Sequence, residues 1–290
     1  VDAYIAAGQH VIVVDDLSTG KREQVHPAAT LVEMNMNDQG LIDLFLTERP
    51  DVVNHHAANA SVSVSVHRPI FDATQNILGT INLLEAARQS DVRKFIYVSS
   101  GGAMYGDPEY LPEDERHPAN PPAPYALSKH PGERYVAVYG REHGLTWTSL
   151  RYANVYGPRQ DPFGEAGVVA IFCQNLLDGV VPPIHWDGEQ TRDFVYVGDC
   201  ARANLLALEA GDGRAYNIGT GHGTSVNTLF ATLTEVSGRR VTPERGPRRP
   251  GDARHSYLDC SKAKRELGWQ AEVSLQEGLT RTWKHYLQAK

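Results

Sequence analysis

The chain has 290 residues, with 35 acidic and 28 basic side chains, and apolar residues make up 41% of it. This composition predicts a globular fold and argues against a nucleic-acid partner, because the basic residues are scattered apart from one arginine-rich stretch at 239–254. No apolar run approaches the ~20 residues of a membrane span, and the opening ten residues lack the pattern of a signal peptide. Three widely spaced cysteines indicate a reducing compartment, the cytoplasm.

Strands and helices alternate regularly in the first half of the chain. A helix that ends at Gly8 precedes the β-branched run 11–16, which predicts a strand buried on both faces of a parallel sheet. Further strands are predicted at 51–57, 94–100 and 146–152, and helices at 41–49, 69–88 and 125–142. The alternation predicts an α/β fold of the Rossmann type, with a doubly wound parallel sheet.

The alternation loosens in the second half. Helices are predicted at 166–177, 201–209, 226–236 and 275–287, and strands at 193–199 and 215–221. We therefore expect a Rossmann domain over residues 1–155 and a smaller C-terminal lobe over 156–290. Segments near 193–218 are expected to return to the first domain.

One helix carries a tyrosine and a lysine four residues apart, at Tyr125 and Lys129. Positions i and i+4 share a helix face, and an ammonium group beside a phenol favours the phenolate and lowers the phenol pKa. Such a tyrosine can accept a proton from a substrate hydroxyl at neutral pH. The pair alone is weak support, but it follows a strand ending in two serines and a proline-rich loop, where a helix is expected to begin.

The start of the chain lacks a feature that dinucleotide folds share. Such folds begin with a strand, a turn of the G-x-G-x-x-G type and a helix, whereas this sequence starts inside that helix and contains no such turn. Either the printed sequence is part of a longer protein, or the chain folds without its first strand. In the second case we expect weak NAD binding or none, because the turn supplies N–H groups to the pyrophosphate.

Sequence segments throughout the chain carry a family resemblance. They are DDLSTGK at 15–21, HHAA at 55–58, NILGTINLLEA at 76–86, YVSSGGAMYG at 97–106, YALSK at 125–129, LRYANVYGPR at 150–159, RDFVYVGD at 192–199, YNIGTG at 216–221 and RPGD at 249–252. The chain resembles the extended short-chain dehydrogenases/reductases, and most closely their UDP-glucose 4-epimerase family. This implies NAD-dependent epimerisation at C4 of a UDP-hexose through a transient 4-keto sugar, with UDP-glucose and UDP-galactose as substrates.

The resemblance also implies the site residues. Tyr125, Lys129 and Ser100 would be catalytic. Besides that tyrosine and lysine, the NAD-binding residues would be Asp15, Asp16, Asn35, Ala57, Ala58, Asn76, Ser99 and Tyr152. The UDP-sugar would contact Ser100, Asn154, Val168, Arg192, Arg249, Asp252 and Ser256. An acid at the position of Asp15 favours NAD over NADP, and guanidinium groups suit a diphosphate.

The sequence departs from the family pattern at three positions. The family usually has Ser or Thr at the position of Gly101, so we assign that hydroxyl role to Ser100. Asn35 stands where many relatives have an acid against adenine. Ser256 stands where many strict glucose-type enzymes have a tyrosine, so we expect UDP-N-acetylhexosamines to be accepted as well.

Alternative functions remain open at this point. A sugar 4,6-dehydratase needs an extra acid and base that residues 100–103 do not offer, and a UDP-glucuronate decarboxylase needs an extra cation. The alternative from another class is a non-catalytic dinucleotide or nucleotide-sugar sensor, against which the retained Tyr125 and Lys129 argue.

We expect a homodimer through helices near 70–89 and 125–142. We expect no metal site, because His55 and His56 point apart on a strand.

Overall fold

The structure is a computed structural model that describes residues 1–163, 167–248 and 253–288. Its helices are α1 (Asp2–Ala6), α2 (Gly40–Glu48), α3 (Val62–His67), α4 (Pro69–Ala73), α5 (Gly79–Gln89), α6 (Gly101–Met104), α7 (Pro124–His143), α8 (Val168–Asp178), α9 (Val197–Ala207), α10 (Val226–Ser237), α11 (Ser261–Leu267) and α12 (Leu275–Gln288). Its strands are β1 (Ile12–Asp15), β2 (Thr30–Glu33), β3 (Val52–His55), β4 (Lys94–Ser100), β5 (Thr146–Tyr152), β6 (Asn154–Tyr156), β7 (Pro183–His185), β8 (Thr191–Arg192), β9 (Phe194–Tyr196), β10 (Arg214–Ile218), β11 (Thr224–Ser225) and β12 (Glu244–Gly246).

Residue contacts divide the chain into two compact units. Unit 1 consists of Val1–Ser99, Ala123–Leu150 and Ala201–Ala215. Unit 2 consists of Ser100–Pro122, Arg151–Cys200 and Tyr216–Lys290. The domain boundary at residue 155 that the sequence suggested stays a prediction.

Parallel strand pairs confirm the predicted α/β class. The larger sheet has the strand order β10-β5-β4-β3, and β3 runs parallel to β4 with Val52 opposite Lys94. In a second sheet, β1 runs parallel to β2 with Ile12 opposite Thr30. The residues of β1 are half-buried, so the expectation of a strand buried on both faces was wrong. The reason is that β1 has β2 as its one ladder partner in the part of the chain that the structure describes.

The core of unit 1 forms where α2 and α5 cover the strands. Leu41 and Phe45 lie one turn apart on α2, and both are buried in a cluster with Leu84 of α5, Val53 of β3 and Phe95 of β4. The residues of β4 are buried from Lys94 to Ser99, as expected of an interior strand. This packing holds the carboxyl end of β4 in place.

Unit 2 has its own core, built from the apolar faces of α8, α10 and α12. Phe172 of α8, Leu229 of α10 and Trp283 of α12 belong to one buried cluster. Ser225 caps the start of α10 by accepting a hydrogen bond from the Thr228 amide, and Gly238 ends it with a positive φ of 66°. None of the helices in the described ranges combines the length and apolar character that a membrane crossing needs.

Two element predictions were wrong in part. The helix expected at 69–88 contains a π-helical turn, Thr74–Leu78, between α4 and α5, which hydrophobic periodicity does not reveal. The strand expected at 193–199 ends at Tyr196, and α9 begins at Val197. Val197 is apolar like the strand residues before it, so the hydrophobic pattern does not show where the strand ends and the helix begins.

Candidate active site

Helix α7 carries Tyr125 and Lys129 near its first residue. Ala123, its N-cap, is extended, and Pro124 occupies the first turn, where a missing N–H costs no helix hydrogen bond. Tyr125 is half-buried and Lys129 is 4% exposed. The helix spacing therefore gives a phenol with partial solvent access and an ammonium group in the interior of unit 1.

The surroundings of Lys129 fix its side chain. Its Nζ donates a hydrogen bond to the Val98 carbonyl (2.9 Å) and lies 5.1 Å from the centre of the Tyr97 ring. Tyr97 in turn donates from its hydroxyl to the Lys129 carbonyl (3.1 Å). Burial lowers the pKa of Lys129 to about 8, and Asp72 acts in the opposite direction.

Tyr125 acts electrostatically on the same tyrosine. Burial raises the pKa of Tyr97 above its ordinary value, and the charges of Glu133 and Tyr125 add to that effect. Tyr125 and Lys129 are four residues apart on the continuous helix α7, a spacing that puts both on one side of the helix. Their roles in proton transfer stay a prediction.

A buried polar network anchors this part of α7 to the π-helical turn. The Asn76 amide nitrogen donates towards the Asp72 carboxylate (3.0 Å), the Ser128 hydroxyl (2.9 Å) and the Asn59 carbonyl (3.0 Å). The Asn76 side-chain oxygen accepts from the Asn59 amide (2.8 Å). Asn76, predicted to contact the cofactor, therefore uses its side chain within the protein. Its cofactor role stays a prediction.

The residues after β3 include the predicted Ala57 and Ala58. Ala57 is exposed and Ala58 is half-buried. Just before them, the buried His55 places Nε2 2.9 Å from the Thr80 hydroxyl, which donates to the Asn76 carbonyl. Burial holds the pKa of His55 well below its ordinary value, so His55 is neutral and its Nε2–H is the donor to Thr80.

Asp15, Asp16 and Asn35 cluster at the carboxyl ends of β1 and β2. Asp15 Oδ1 accepts from the Leu17 amide (2.8 Å), and the Asn35 amide donates to Asp16 Oδ2 (2.6 Å). Hydrogen bonds from Ser18 and Asn35 lower the pKa of Asp16. A Cβ at Gly20 would lie 2.9 Å from Asp15 Oδ1, so glycine keeps the surroundings of this carboxylate open.

The two serines that end β4 differ in environment. Ser99 is buried, and its Oγ has no hydrogen-bond partner among the described residues, whereas Ser100 is half-buried. The difference follows from the alternation of side chains along a strand. The structure also explains the departure at Gly101, where a Cβ would lie 2.8 Å from Leu258 and 3.2 Å from the Arg151 carbonyl.

Further predicted residues lie in unit 2. Tyr152 ends β5, Asn154 begins β6, and Val168 is the first residue of α8. A Cβ at position 102 would lie 3.3 Å from Asn154 Oδ1, so Asn154 borders the turn that follows Ser100. The Arg192 Nη1 donates to the Thr191 carbonyl (2.8 Å) and the Ala253 carbonyl (3.0 Å). Arg249 and Asp252 lie outside the described residues.

Ser256 contacts a glutamate that sequence reasoning missed. The buried Ser256 hydroxyl donates to Glu113 Oε2 (3.2 Å), and the Glu113 side chain is fully buried. Burial raises the pKa of Glu113 to about 7, and the charge of Asp193 adds to the rise, while the Ser256 hydrogen bond opposes it.

Asp72 is a second residue that sequence reasoning missed. The sequence offers one indication of its role: Asp72 lies four residues before Asn76, on the side of the helix that faces the protein interior.

In the described ranges, no group of three or more His, Cys, Asp or Glu side chains is arranged to hold a metal ion. Cys173 and Cys200 are free and buried, and Cys260 is free and half-buried.

Comparison with known proteins identifies the family. Residues 1–219 match the NAD dependent epimerase/dehydratase family. The UDP-glucose 4-epimerase of Mycolicibacterium smegmatis is 44% identical over 288 residues, covering 97% of this chain and 92% of that protein. The structure of the Thermotoga maritima UDP-glucose 4-epimerase with UDP-glucose is 48% identical, with a TM-score of 0.98 and coverage of 99% of this chain and 94% of that one. The Thermus thermophilus UDP-glucose 4-epimerase in complex with NAD is 43% identical, with a TM-score of 0.94 and coverage of 100% and 94%. The chain belongs to the NAD-dependent epimerase/dehydratase family.

Proposed function

We propose that the chain is an NAD-dependent UDP-glucose 4-epimerase, which interconverts UDP-glucose and UDP-galactose through a 4-keto sugar. The observation that carries the proposal is the Tyr125–Lys129 pair, with its ammonium group buried beside Val98 and Tyr97. Identities above 40% to epimerases, over nearly the full length of this chain, support the choice of reaction within the family.

The residues of unit 1 fit NAD. Asp15 ends β1 beside Gly20, where a Cβ would crowd its carboxylate, and a carboxylate in this position suits ribose hydroxyls. Lys129 Nζ has three donors, of which the Val98 carbonyl accepts one. The buried Ser99 hydroxyl is a further polar group at the end of β4. When bound, NAD supplies the acceptor for the hydride from C4.

Tyr125 moves the proton of the reaction. It accepts the proton of the C4 hydroxyl as the C4–H bond breaks, and it returns that proton to O4 when hydride comes back to the opposite face of the 4-keto sugar. The Lys129 ammonium stabilises the phenolate between these steps. We assign Ser100 to a hydrogen bond with the same sugar oxygen. Proton and hydride both return, so the products differ from the substrates only in configuration.

Unit 2 supplies the residues that we assign to the UDP-sugar. They are Asn154, Val168, Arg192 and Ser256, together with Arg249 and Asp252 outside the described residues. Arg192 offers a guanidinium group, which forms charge-assisted hydrogen bonds with a diphosphate. Anchoring the UDP part leaves the sugar ring free to turn between the two hydride steps.

The alternatives have less support. The turn after β4, Gly101–Met104, carries neither an acid nor a base, whereas a 4,6-dehydratase needs both to eliminate water. A passive nucleotide-sugar or dinucleotide sensor has no use for a tyrosine with a buried lysine one helical turn away. Burial of an ammonium group is costly, and the cost is reasonable where the charge serves a reaction.

We also propose that the protein is a cytoplasmic homodimer. Helix α7 packs against α4, α5 and the π-helical turn. These elements leave large apolar side chains exposed, namely Ile70 (84% exposed), Leu78 (56%), Leu127 (55%), Tyr135 (40%) and Val138 (38%). Pairing this apolar face with that of a second copy would bury it in a four-helix seam. The free cysteines suit a reducing compartment.

The reaction is tested by incubating the full chain with NAD and UDP-galactose and following UDP-glucose by NMR. We expect conversion by the wild type and a loss of about 10²–10⁴-fold in kcat for Tyr125→Phe, because the phenolate base is gone. The control is Tyr110→Phe, which removes an exposed hydroxyl that bonds Asp114 and is expected to leave kcat unchanged. Wild-type activity retained in Tyr125→Phe would overturn the assignment.

A further inference from the structure

We propose that Asp72 is a positioning residue of the epimerase. Its carboxylate fixes the first turns of α7 through Asn76 and Ser128, and it keeps a negative charge near the ammonium group of Lys129. The inference deepens the proposed function and rests on it for the role of Lys129.

Hydrogen bonds connect Asp72 to the catalytic helix in three steps. Asp72 Oδ1 accepts from the Asn76 amide (3.0 Å), and the same amide donates to the Ser128 hydroxyl (2.9 Å). Ser128 then donates to the Tyr125 carbonyl (2.9 Å). Ser128 precedes Lys129 in the sequence, and Tyr125 carries the phenol that we assign to proton transfer. A displacement of the Asp72 carboxylate would therefore be passed on to both Tyr125 and Lys129.

The carboxylate itself is buried and well supported. Asp72 is 1% exposed, and its Oδ1 also accepts from the Asn59 side-chain amide (2.7 Å). Two side-chain amides, those of Asn59 and Asn76, thus hold one oxygen of this carboxylate in place. The π-helical turn Thr74–Leu78 begins two residues after Asp72, and π-helical turns within helices are frequent at functional sites.

The charges around Lys129 point to Asp72 as its counter-charge. The charge of Lys129 acts on His55, the last residue of β3, and on the following His56, and its Nζ lies against the ring of Tyr97 on β4. Burial holds the pKa of His55 well below its ordinary value, and the positive charge of Lys129 lowers it further. Burial also lowers the pKa of Lys129 to about 8, and among the described residues Asp72 is the charge that raises it.

Removal of the Asp72 charge should lower the pKa of Lys129. Without the negative charge, the ammonium form of Lys129 loses stabilisation while the cost of burial stays. The pKa of Lys129 then falls below about 8, and the neutral amine prevails at pH 8. A neutral amine cannot stabilise the phenolate of Tyr125, so catalysis weakens while the UDP-binding residues are unaffected.

The direct test is a ¹⁵N NMR titration of Lys129 Nζ in the full chain without added ligands. We expect a midpoint near pH 8 in the wild type and a midpoint lower by about one pH unit in Asp72→Asn, an effect typical of one nearby charge. Asp72→Glu keeps the charge and should restore most of the shift. Glu85→Gln is the control, because Glu85 is a carboxylate on α5 that bonds Arg88 and Tyr139, and its midpoint should equal the wild type's.

A second readout needs no variant. The ¹³Cγ resonance of Asp72 in the wild type should show an inflection at the Lys129 midpoint, which keeps the test valid should Asp72→Asn fail to fold. An unchanged Lys129 midpoint in folded Asp72→Asn, or no inflection in the Asp72 resonance, would overturn the proposal. In kinetics, we expect Asp72→Asn to lower kcat about fivefold at pH 8 with little change in KM, because a midpoint lower by one pH unit reduces the ammonium fraction from about a half to about a tenth. An inactive wild type with the predicted midpoints would contradict the epimerase assignment and leave the counter-charge supported.

Discussion

The contact between Ser256 and Glu113 gives one side chain of the proposed sugar subsite a defined orientation. The serine hydroxyl donates to a fully buried carboxyl group whose pKa burial raises to about 7. Its hydrogen is therefore directed to Glu113, and Ser256 contributes a small, fixed side chain. A small residue leaves more volume for a substituent at the sugar C2 than a tyrosine would.

Specificity follows from that volume. We expect the wild type to epimerise UDP-N-acetylglucosamine as well as UDP-glucose, and Ser256→Tyr to lose at least about tenfold more kcat/KM on the N-acetylated sugar, the order of effect that steric exclusion in a pocket produces. Ser256→Ala is the control that keeps the volume and should retain both activities. The idea is wrong if the wild type turns over UDP-glucose and leaves UDP-N-acetylglucosamine untouched.

At the residue scale, what the sequence could predict depended on local spacing. Tyr125 and Lys129 were found because one helical turn brings them together whatever the rest of the fold does. Glu113 was missed because its partner Ser256 is 143 positions away, and no local pattern marks that contact. The bonds of the Asn76 amide to Asp72, Ser128 and Asn59 were likewise not predictable, because two of these partners lie 17 and 52 positions away.

At the element scale, α7 combines two surfaces with different roles. One face carries Lys129 towards β4 through the hydrogen bond to Val98, and another exposes Leu127. Residues two positions apart do not share a helix face, so the same helix can hold the catalytic pair and take part in subunit pairing.

Strand and helix bounds such as 94–100 were predictable from hydrophobic runs. The π-helical turn was not, because its extra residue per turn leaves no signature in polarity.

The proposed pairing makes a prediction for this helix. Leu127→Glu places a charge in the apolar face of α4, α5 and α7, so we expect a wild-type mass of twice the 31.9 kDa of one chain and a single-chain mass for the variant by light scattering. Leu46→Glu changes a comparably exposed leucine (44%) on α2 and should keep the wild-type mass. A monomeric wild type, or a Leu127→Glu variant that still pairs, would contradict the homodimer.

At the scale of the whole molecule, two compact units have separate cores and separate assignments. Unit 1 contains the proton-transfer pair, the Asp72 network and the carboxylates at the end of β1. Unit 2 contains Arg192 and the Ser256–Glu113 contact. The α/β class was predictable because alternating strands and helices leave few arrangements. The interleaving of the units was not, because it depends on contacts between distant segments.

The account depends most on transient oxidation at C4, with hydride returning to the carbon that it left. The most direct measurement is ¹H and ²H NMR of UDP-[4-²H]glucose incubated in ordinary water with the full chain and NAD. We predict UDP-galactose that retains deuterium at C4, because the hydride is never exchanged with solvent while Tyr125 exchanges only the hydroxyl proton. Formation of UDP-galactose with hydrogen from water at C4, or no UDP-galactose at all, would contradict the account.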